Sequence, residues 1–515
     1  MKKYVFLFGL FLMLSACTES SDSSAGEATA EAPNIVFLFA DDLSYQAISV
    51  LGNEEVHTPN LDRLAQGGTT FTHTYNMGGW NGAICVASRS MIISGQYLWS
   101  ALKEDKRWRD KDSTALANTW GRIMAGNGYD TYMSGKWHVA APADHVFDVA
   151  KHIRPGMPGD QRGKISDERK KAWREAKITD TNMKEFMPIG YHRPMDENDD
   201  SWSPTDTTFG GFWEGGKHWS EVLKDDAVGY IETAAQKDNP FFMYLAFNAP
   251  HDPRQAPQSF IDQYPLDQIS IPASFKPTYP YADYMGNSPG LRDEALAPYP
   301  RTEYAVKVHR QEYYAIITHL DEQIGKILDA LEASGEMDNT YIFFTADHGL
   351  SVGHHGLIGK QNMYDHSVRV PMIVAGPDIP KGKKSGKELY LQDIMPTSLA
   401  MAGIEQPDYV DFKSFLDLAK GGADREHYPE IYGAYVKSQR MIRKDGYKLI
   451  VYPNAPKVLL FDVEKDPDEI TDLAEVAEQS EKVKSLFADL QKLQAQMEDE
   501  LDLQPSFDAW QATLQ

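Results

Sequence analysis

Three uninterrupted apolar segments stand out along the chain, and each stops abruptly at polar residues. The segments are Asn34 to Ala40, Phe241 to Phe247 and Thr340 to Thr345. A continuous apolar run of this length predicts a strand that is buried on both faces, as in a parallel sheet covered by helices. The chain therefore has at least three candidate core strands.

The polar residues that follow these runs are the first candidates for function. In chain order they include Asp41, Asp42, His251, Asp347 and His348. Open α/β sheets carry their sites just beyond the carboxyl ends of their strands. We therefore predict that these side chains meet at one sheet edge. Three carboxylates placed together would repel one another unless a divalent cation neutralised them, so the pattern also predicts a metal.

Amphipathic helical segments alternate with the apolar runs. They are Pro59 to Gln66, Ser88 to Leu98, Leu116 to Gly126 and a long one from about Thr302 to Ser334. Such alternation is typical of an α/β fold, and we predict a large mostly parallel sheet sandwiched by helices over residues 32–422.

The character of the chain changes after about Gly422. Short β-type segments follow at residues 440–443, 447–452 and 458–461, and an amphipathic helix is indicated near 473–501. This pattern favours a smaller C-terminal subdomain, residues 423–515, with an antiparallel sheet and a packed helix.

The first residues have the pattern of an export signal. Met1-Lys2-Lys3 precedes an apolar run that is too short to span a bilayer, and Leu14-Ser15-Ala16-Cys17 resembles a bacterial lipobox. We predict a lipoprotein signal peptide over residues 1–17, a lipid on Cys17 that anchors an exported protein to a bacterial membrane, and a flexible tether over 18–31. An ordinary cleaved signal peptide is the alternative.

The net charge of the chain restricts the partners that it can bind. The 515 residues carry a formal net charge of −24, which would repel nucleic acid, so none is expected to bind. An anionic substrate would have to be attracted by a local group of cations.

The number of cysteines excludes an internal disulfide. The sequence has two, and once Cys17 is lipidated only Cys85 is left as a free thiol.

Cys85 opens the segment Cys85-Val86-Ala87-Ser88-Arg89, which resembles the Cys-x-Pro/Ala-x-Arg motif of the type I sulfatases, in the alkaline phosphatase superfamily. The resemblance implies an alkaline-phosphatase-like fold and a Cys85 oxidised to formylglycine. A hydrated aldehyde has one hydroxyl to attack sulfur and a second to expel sulfate, whereas serine would end as a stable sulfate ester. Arg89, one helical turn on, would stabilise the hydrate. Because Ala87 replaces the proline of the stricter motif, a maturase of the radical type is the expected partner.

The same resemblance covers most of residues 33–465 and implies roles for the other candidates. One Ca²⁺ would be held by Asp41, Asp42, residue 85, Asp347 and His348, although imidazole is a poorer ligand than Asn for so hard a cation. Ser134-Gly135-Lys136-Trp137-His138 resembles the family's Gly-Lys-x-His stretch. Lys136 would bridge formylglycine and sulfate, and Lys360 and His251 would hold the sulfate. His251 would act as general acid and His138 as the base that collapses the sulfated intermediate.

The expected activity is hydrolysis of a sulfate ester on a sulfated carbohydrate. Ligands for a single metal suit a monoanionic ester, but a phosphodiester is also a monoanion. A formylglycine-dependent phosphodiesterase or phosphonate monoester hydrolase, and an aryl or choline sulfatase, therefore stay open. A non-catalytic glycan-binding lipoprotein is the alternative from a different class.

Overall fold

The computed structural model describes residues 1, 32–158, 194, 196–200, 202–287, 291–422 and 425–514. The predicted lipidation site at Cys17 and the predicted tether lie outside these ranges. The chain from Pro33 onward forms one compact unit. Within the described ranges, no helix combines the length and the apolar character needed to cross a bilayer.

A large mixed sheet forms the centre of this unit. Its eight strands lie in the order β11-β2-β10-β9-β1-β8-β4-β5, and only β10 runs antiparallel to its two neighbours. The strands are β1 Asn34–Ala40, β2 Gly68–Tyr75, β4 Asp130–Lys136, β5 Val149–Arg154, β8 Phe241–Ala246, β9 Thr340–Ala346, β10 Arg369–Ala375 and β11 Lys383–Tyr390. The predicted mostly parallel sheet is confirmed.

The three strands predicted from apolar runs are neighbours in the middle of this sheet. β1 pairs in parallel with β8 on one side and with β9 on the other, and every residue of the three strands is buried. Their carboxyl ends therefore lie side by side, which is the arrangement that the polar residues after them require.

Helices flank the sheet, as predicted. The α-helices are α1 Pro59–Gln66, α2 Ile84–Ser94, α3 Leu98–Arg109, α4 Ser113–Ala117, α5 Trp120–Gly126, α6 Ala143–Val146, α7 Trp219–Ala234, α8 Gln258–Ile261, α9 Ala282–Met285, α10 Glu303–Ser334, α11 Asp365–Val368, α12 Ile394–Met401, α13 Leu416–Ala419, α14 Ser480–Gln496 and α15 Gln504–Thr513. The helix predicted at 88–98 is shifted, because α2 begins at Ile84 and stops at Gly95, whose φ is 70°. The helix predicted at 116–126 is divided into α4 and α5.

A second, five-stranded sheet has the order β15-β14-β13-β12-β3. Its strands are β3 Gly78–Gly79, β12 Ile431–Tyr435, β13 Gln439–Lys444, β14 Tyr447–Tyr452 and β15 Lys457–Asp462. The four C-terminal strands are antiparallel, as predicted, and α14 packs on them. A two-stranded ribbon, β6 Trp213–Glu214 with β7 Lys217–His218, completes the described sheets.

The C-terminal sheet also recruits residues from the first part of the chain. β3 pairs in parallel with β12, and a Cβ on Gly78 would lie 2.0 Å from the carbonyl oxygen of Ala434, so only glycine fits there. One hydrophobic cluster joins residues of α2, such as Ala87 and Met91, to residues of the C-terminal sheet. The division at residue 422 stays a prediction.

Candidate active site

Cys85 lies in the first turn of α2, and Arg89 follows it one turn later on the same helix. Every residue of α2 is buried. Burial raises the pKa of the Cys85 thiol to about 12, even though Lys136 and Lys360 act in the opposite direction. A thiol with so high a pKa is almost wholly protonated at neutral pH and is a poor nucleophile.

Three carboxylates converge on Cys85 from the ends of two neighbouring strands. Asp41 and Asp42 follow β1, and Asp347 follows β9. One ligand atom from each of these three residues and the Cys85 sulfur all lie within 4.8 Å of one another. Asp42 has a φ of 64°, and the backbone N–H of this strained residue donates to Asp347 Oδ1 at 3.1 Å. Tyr313 holds the same turn by donating its hydroxyl to the Asp42 carbonyl at 2.6 Å.

Three cations lie among these carboxylates. Lys360 Nζ is 2.6 and 2.7 Å from the two carboxylate oxygens of Asp42 and 3.0 Å from the Cys85 sulfur. Arg89 Nε donates to Asp347 Oδ2 at 2.8 Å, and Lys136 pairs with Asp41. The local positive charge that the acidic composition demanded is therefore present around Cys85.

The electrostatics of the cluster favour one more cation. Burial raises the pKa of Asp42 to about 6, and burial together with Asp347 raises the pKa of Asp41 well above its usual range. Asp41 Oδ1 is buried and finds no hydrogen-bond partner among the described residues. Clustered carboxylate oxygens, one of them without a hydrogen bond and 3.9 Å from Arg89 Nη2, fit a hard divalent cation such as Ca²⁺.

His348 is placed differently from the other predicted ligands. Its Nδ1 lies 3.0 Å from the carbonyl oxygen of Gly349, and its buried Nε2 has no partner in the part of the chain that is described. Burial lowers the pKa of His348 to about 4, so its imidazole is neutral at pH 7. It is absent from the group of four described donors around Cys85, and its role as a ligand stays a prediction.

The two candidate acid–base histidines border a cavity above Cys85. This cavity of about 430 Å³ is lined by Cys85, His138, His251 and Lys360, among others. His251 Nε2 lies 3.6 Å from Asp42 Oδ2, and its Nδ1 faces the Asp252 carbonyl at 2.6 Å. Burial lowers the pKa of His138 to about 3 and that of His251 well below its usual value.

The structure thus brings together most of the predicted site residues. Asp41, Asp42, Cys85, Arg89, Lys136, Asp347 and Lys360 form one contact network. Arg89 and Lys136 are completely buried, so they act from beneath the cavity and do not line it.

The sequence did not predict three residues that line the cavity, Arg292, Asp293 and Gln361, or their neighbour Asp252. Arg292 bridges Asp252 and Asp293, and Gln361 donates to Asp293 Oδ2 at 2.6 Å. Arg292 and Asp293 come from an irregular segment without a motif. Only the position of Asp252, next to His251, and of Gln361, next to Lys360, could have drawn attention to them.

Gly156 offers a test of how closely the cavity wall holds His138. A Cβ at residue 156 would lie 2.5 Å from His138 Cε1 and 2.7 Å from its Nδ1. We expect Gly156→Ala to displace the imidazole and lower kcat by about a hundredfold, since small misplacements of catalytic groups cost about this much. Steady-state kinetics measure the effect, and Gly126→Ala, where a Cβ meets open space, is the control. Unchanged kcat would show that His138 is not needed where it stands.

Comparison with known proteins gives two family matches. The family described as Sulfatase matches residues 33–404, and the family described as N-sulphoglucosamine sulphohydrolase, C-terminal, matches residues 353–496. The first match spans Asp41, Cys85, Lys136, His251, Asp347 and Lys360.

Individual relatives extend over nearly the whole chain. A sulfatase of Formosa agariphila is 28% identical over 98% of this chain and 95% of its own length. An N-acetylglucosamine-6-O-sulfatase of Bacteroides thetaiotaomicron is 26% identical over 95% of this chain and 91% of its own. A protein solved in complex with its substrate D-glucosamine-2-N,6-O-disulfate shares the fold, with a TM-score of 0.64 at 23% identity, over 91% of this chain and 98% of that one.

Proposed function

Because this chain belongs to the sulfatase family and is a sulfuric ester hydrolase, we propose that it removes sulfate from a sulfated carbohydrate, using formylglycine made from Cys85 and one Ca²⁺. The observation that carries the proposal is the contact network around Cys85, whose sulfur lies 3.0 Å from Lys360 Nζ beside three carboxylates at a cavity. The carbohydrate is supported by the relative named N-acetylglucosamine-6-O-sulfatase.

Residue 85 is proposed to act as an aldehyde and not as a thiol. With a pKa of about 12, the unmodified thiol would be almost unreactive at neutral pH. A hydrated aldehyde there supplies a hydroxyl that attacks sulfur and another that releases the sulfate. A divalent cation held by Asp41, Asp42, Asp347 and residue 85 would neutralise their charge and polarise a sulfate oxygen.

The remaining residues are proposed to bind sulfate and move protons. Lys360 is proposed to hold a sulfate oxygen, and the position of its ammonium group at the cavity, in contact with residue 85, supports this role. His251 is proposed to protonate the departing alcohol from Nε2 while Nδ1 donates to the Asp252 carbonyl. A bound sulfate would raise the pKa of His251 towards neutrality, since a nearby negative charge favours the imidazolium.

Lys136, Arg89 and His138 complete the proposed machinery. Lys136 and Arg89 are fixed beneath the cavity by Asp41 and Asp347, where they would stabilise negative charge on residue 85. His138 lies at the cavity with Nδ1 unpartnered among the described residues, and its low pKa keeps it neutral and able to accept a proton.

Export and maturation complete the proposal. The leader sequence supports a lipid on Cys17 and attachment to a bacterial membrane, which suits an extracellular or periplasmic glycan. Ala87, in place of proline, supports a radical-type maturase as the partner that oxidises Cys85.

The proposed function can be tested with a defined panel of esters. Protein produced with a maturase is incubated with sulfated monosaccharides, an aryl sulfate, choline sulfate, a phosphodiester and a phosphonate monoester. Release of inorganic sulfate or phosphorus product is then measured. We expect the highest kcat/KM with a sugar sulfate. Faster hydrolysis of the phosphodiester or phosphonate would contradict the proposal, and binding of sulfated sugars without turnover would favour a glycan-binding protein.

A further inference from the structure

A second cavity lies next to the catalytic one and contains two tryptophans. Its volume is about 910 Å³. Trp80 and Trp99 are both half-buried in its wall. The other lining residues are Leu102, Lys103, Lys106, Val436, Lys437, Arg440 and residues 498–502. We call this cavity the tryptophan groove.

Trp99 is held rigidly at the groove. The guanidinium carbon of Arg440 lies 5.3 Å from the centre of its ring, and its Nε1 donates to the Tyr432 hydroxyl at 3.3 Å. Arg440 is itself buried and forms a bidentate pair with Asp499, at 2.6 and 2.9 Å. An aromatic ring fixed before a ligand arrives loses little conformational entropy on binding.

The tryptophan groove and the catalytic cavity lie on the two sides of one short loop. Trp80 lines the groove, whereas Gly82 and Ala83, two and three residues later, line the catalytic cavity. The loop is fixed at both ends: Val436 N donates to the Gly79 carbonyl at 2.9 Å, and Gln361 Nε2 donates to the Gly82 carbonyl at 3.0 Å. A chain-like ligand seated in one cavity would reach the other across this loop.

Cations on the rim of the groove are available to a ligand. Lys103 and Arg440 are already paired with Glu498 and Asp499. Lys106 and Lys437 are exposed, and among the described residues no carboxylate forms a salt bridge with either. The remaining acids, Glu500 and Asp502, can accept hydrogen bonds from hydroxyl groups.

We propose that the tryptophan groove binds the saccharide units next to the one that is desulfated, so that the substrate is a sulfated oligosaccharide or polysaccharide. This inference rests on the proposed function. The faces of Trp80 and Trp99 would stack on the apolar C–H faces of sugar rings, and Lys106 and Lys437 would contact sulfate groups on them. The site lies outside the network around Cys85.

The experiment separates binding in the groove from catalysis. Apparent affinities of the full chain for ι-carrageenan, chondroitin sulfate and dextran sulfate are measured by affinity electrophoresis, for the wild type, Trp80→Ala, Trp99→Ala and Trp99→Phe. We expect retardation by at least one polymer and a loss of about tenfold in affinity for each alanine variant. Trp99→Phe, which keeps an aromatic face, should retain most of the affinity.

Kinetics provide the second readout. For the retarding polymer, kcat/KM should fall about tenfold in both alanine variants, while kcat/KM for 4-nitrocatechol sulfate stays unchanged. Absence of retardation in the wild type, alanine variants that bind as well as the wild type, or equal losses on the small ester would each overturn the groove proposal. Absence of sulfate release from every ester, with retardation intact, would instead contradict the proposed function alone.

Discussion

Replacing Cys85 by alanine is expected to lower kcat/KM for sulfate ester hydrolysis by at least about a thousandfold, which is the scale seen when a catalytic nucleophile is removed. The loss should be purely chemical. The side chain is small and buried, and its sulfur contacts Lys360, which keeps both oxygens of Asp42 as partners. Sulfate release is measured alongside thermal unfolding, and the unfolding temperature should change little.

Cys85→Ser sharpens this expectation. A serine that escapes maturation can attack sulfur once but has no second hydroxyl to expel the sulfate. We therefore expect at most one equivalent of alcohol released per protein, followed by no turnover. Mass spectrometry of the peptide containing residue 85 should show the aldehyde in active wild-type protein. Finding only the thiol in fully active enzyme, or undiminished turnover by Cys85→Ala, would refute the mechanism.

Asp347→Asn should give the second large effect, because this carboxylate serves two neighbours at once. It accepts from Arg89 Nε and from the backbone N–H of Asp42. An amide has only one acceptor oxygen, so one donor is left facing an NH₂ group and the buried Arg89 loses its closest counter-charge. We expect unfolding free energy to fall by about 3–5 kcal/mol and kcat to fall by about a hundredfold or more. Chemical denaturation and steady-state kinetics measure these changes.

Asp365→Asn is the matched control. Asp365 forms an ion pair with Lys448 that is also buried, but it is not among the carboxylates grouped around Cys85. The Asp365→Asn substitution should destabilise the protein by a similar amount. At a temperature where this variant is folded, it should retain most of the wild-type kcat. If both variants lost kcat equally, the effect of Asp347→Asn would be a matter of stability and not of the site.

The pH dependence of calcium stabilisation tests the same cluster. The pKa of Asp42 is raised to about 6, so without a cation the folded state binds this proton more tightly than the unfolded chain does. In the metal-free protein, the stability contributed by protonation of Asp42 is therefore lost as pH rises from about 4 through about 6. A cation replaces the proton, so the rise in Tm on adding calcium chloride should be large at pH 7.5 and small at pH 5. A rise in Tm on adding calcium chloride that is the same at both pH values would argue against a cation at these carboxylates.

The sequence predicted those parts of the site that lie on, or directly after, a strand or helix with a clear hydrophobic pattern. The apolar runs identified β1, β8 and β9 and their common edge, because strands buried on both faces leave an unbroken hydrophobic signal. The amphipathic pattern over residues 88–98 identified the helix that carries Arg89, although both ends of that helix were misplaced. The expected sulfatase family and its α/β fold are confirmed.

What the sequence could not show depends on contacts between distant residues. Lys360 reaches the Cys85 sulfur across 275 positions, and nothing local specifies which carboxylate it meets. Arg292 lies in an irregular segment whose position depends on Asp252 and Asp293. Trp80 and Trp99 share a groove whose opposite wall comes from residues 436–440 and 498–502, far away in the sequence.

The pairing of Gly78–Gly79 with Ala434 and Tyr435 has a consequence for engineering. A gene shortened after the large sheet would not encode a minimal enzyme, since the backbone six residues ahead of Cys85 would lose the strand that fixes it. In chimaeras between homologues, the Gly78–Gly79 dipeptide and its partner strand β12 should therefore come from the same parent.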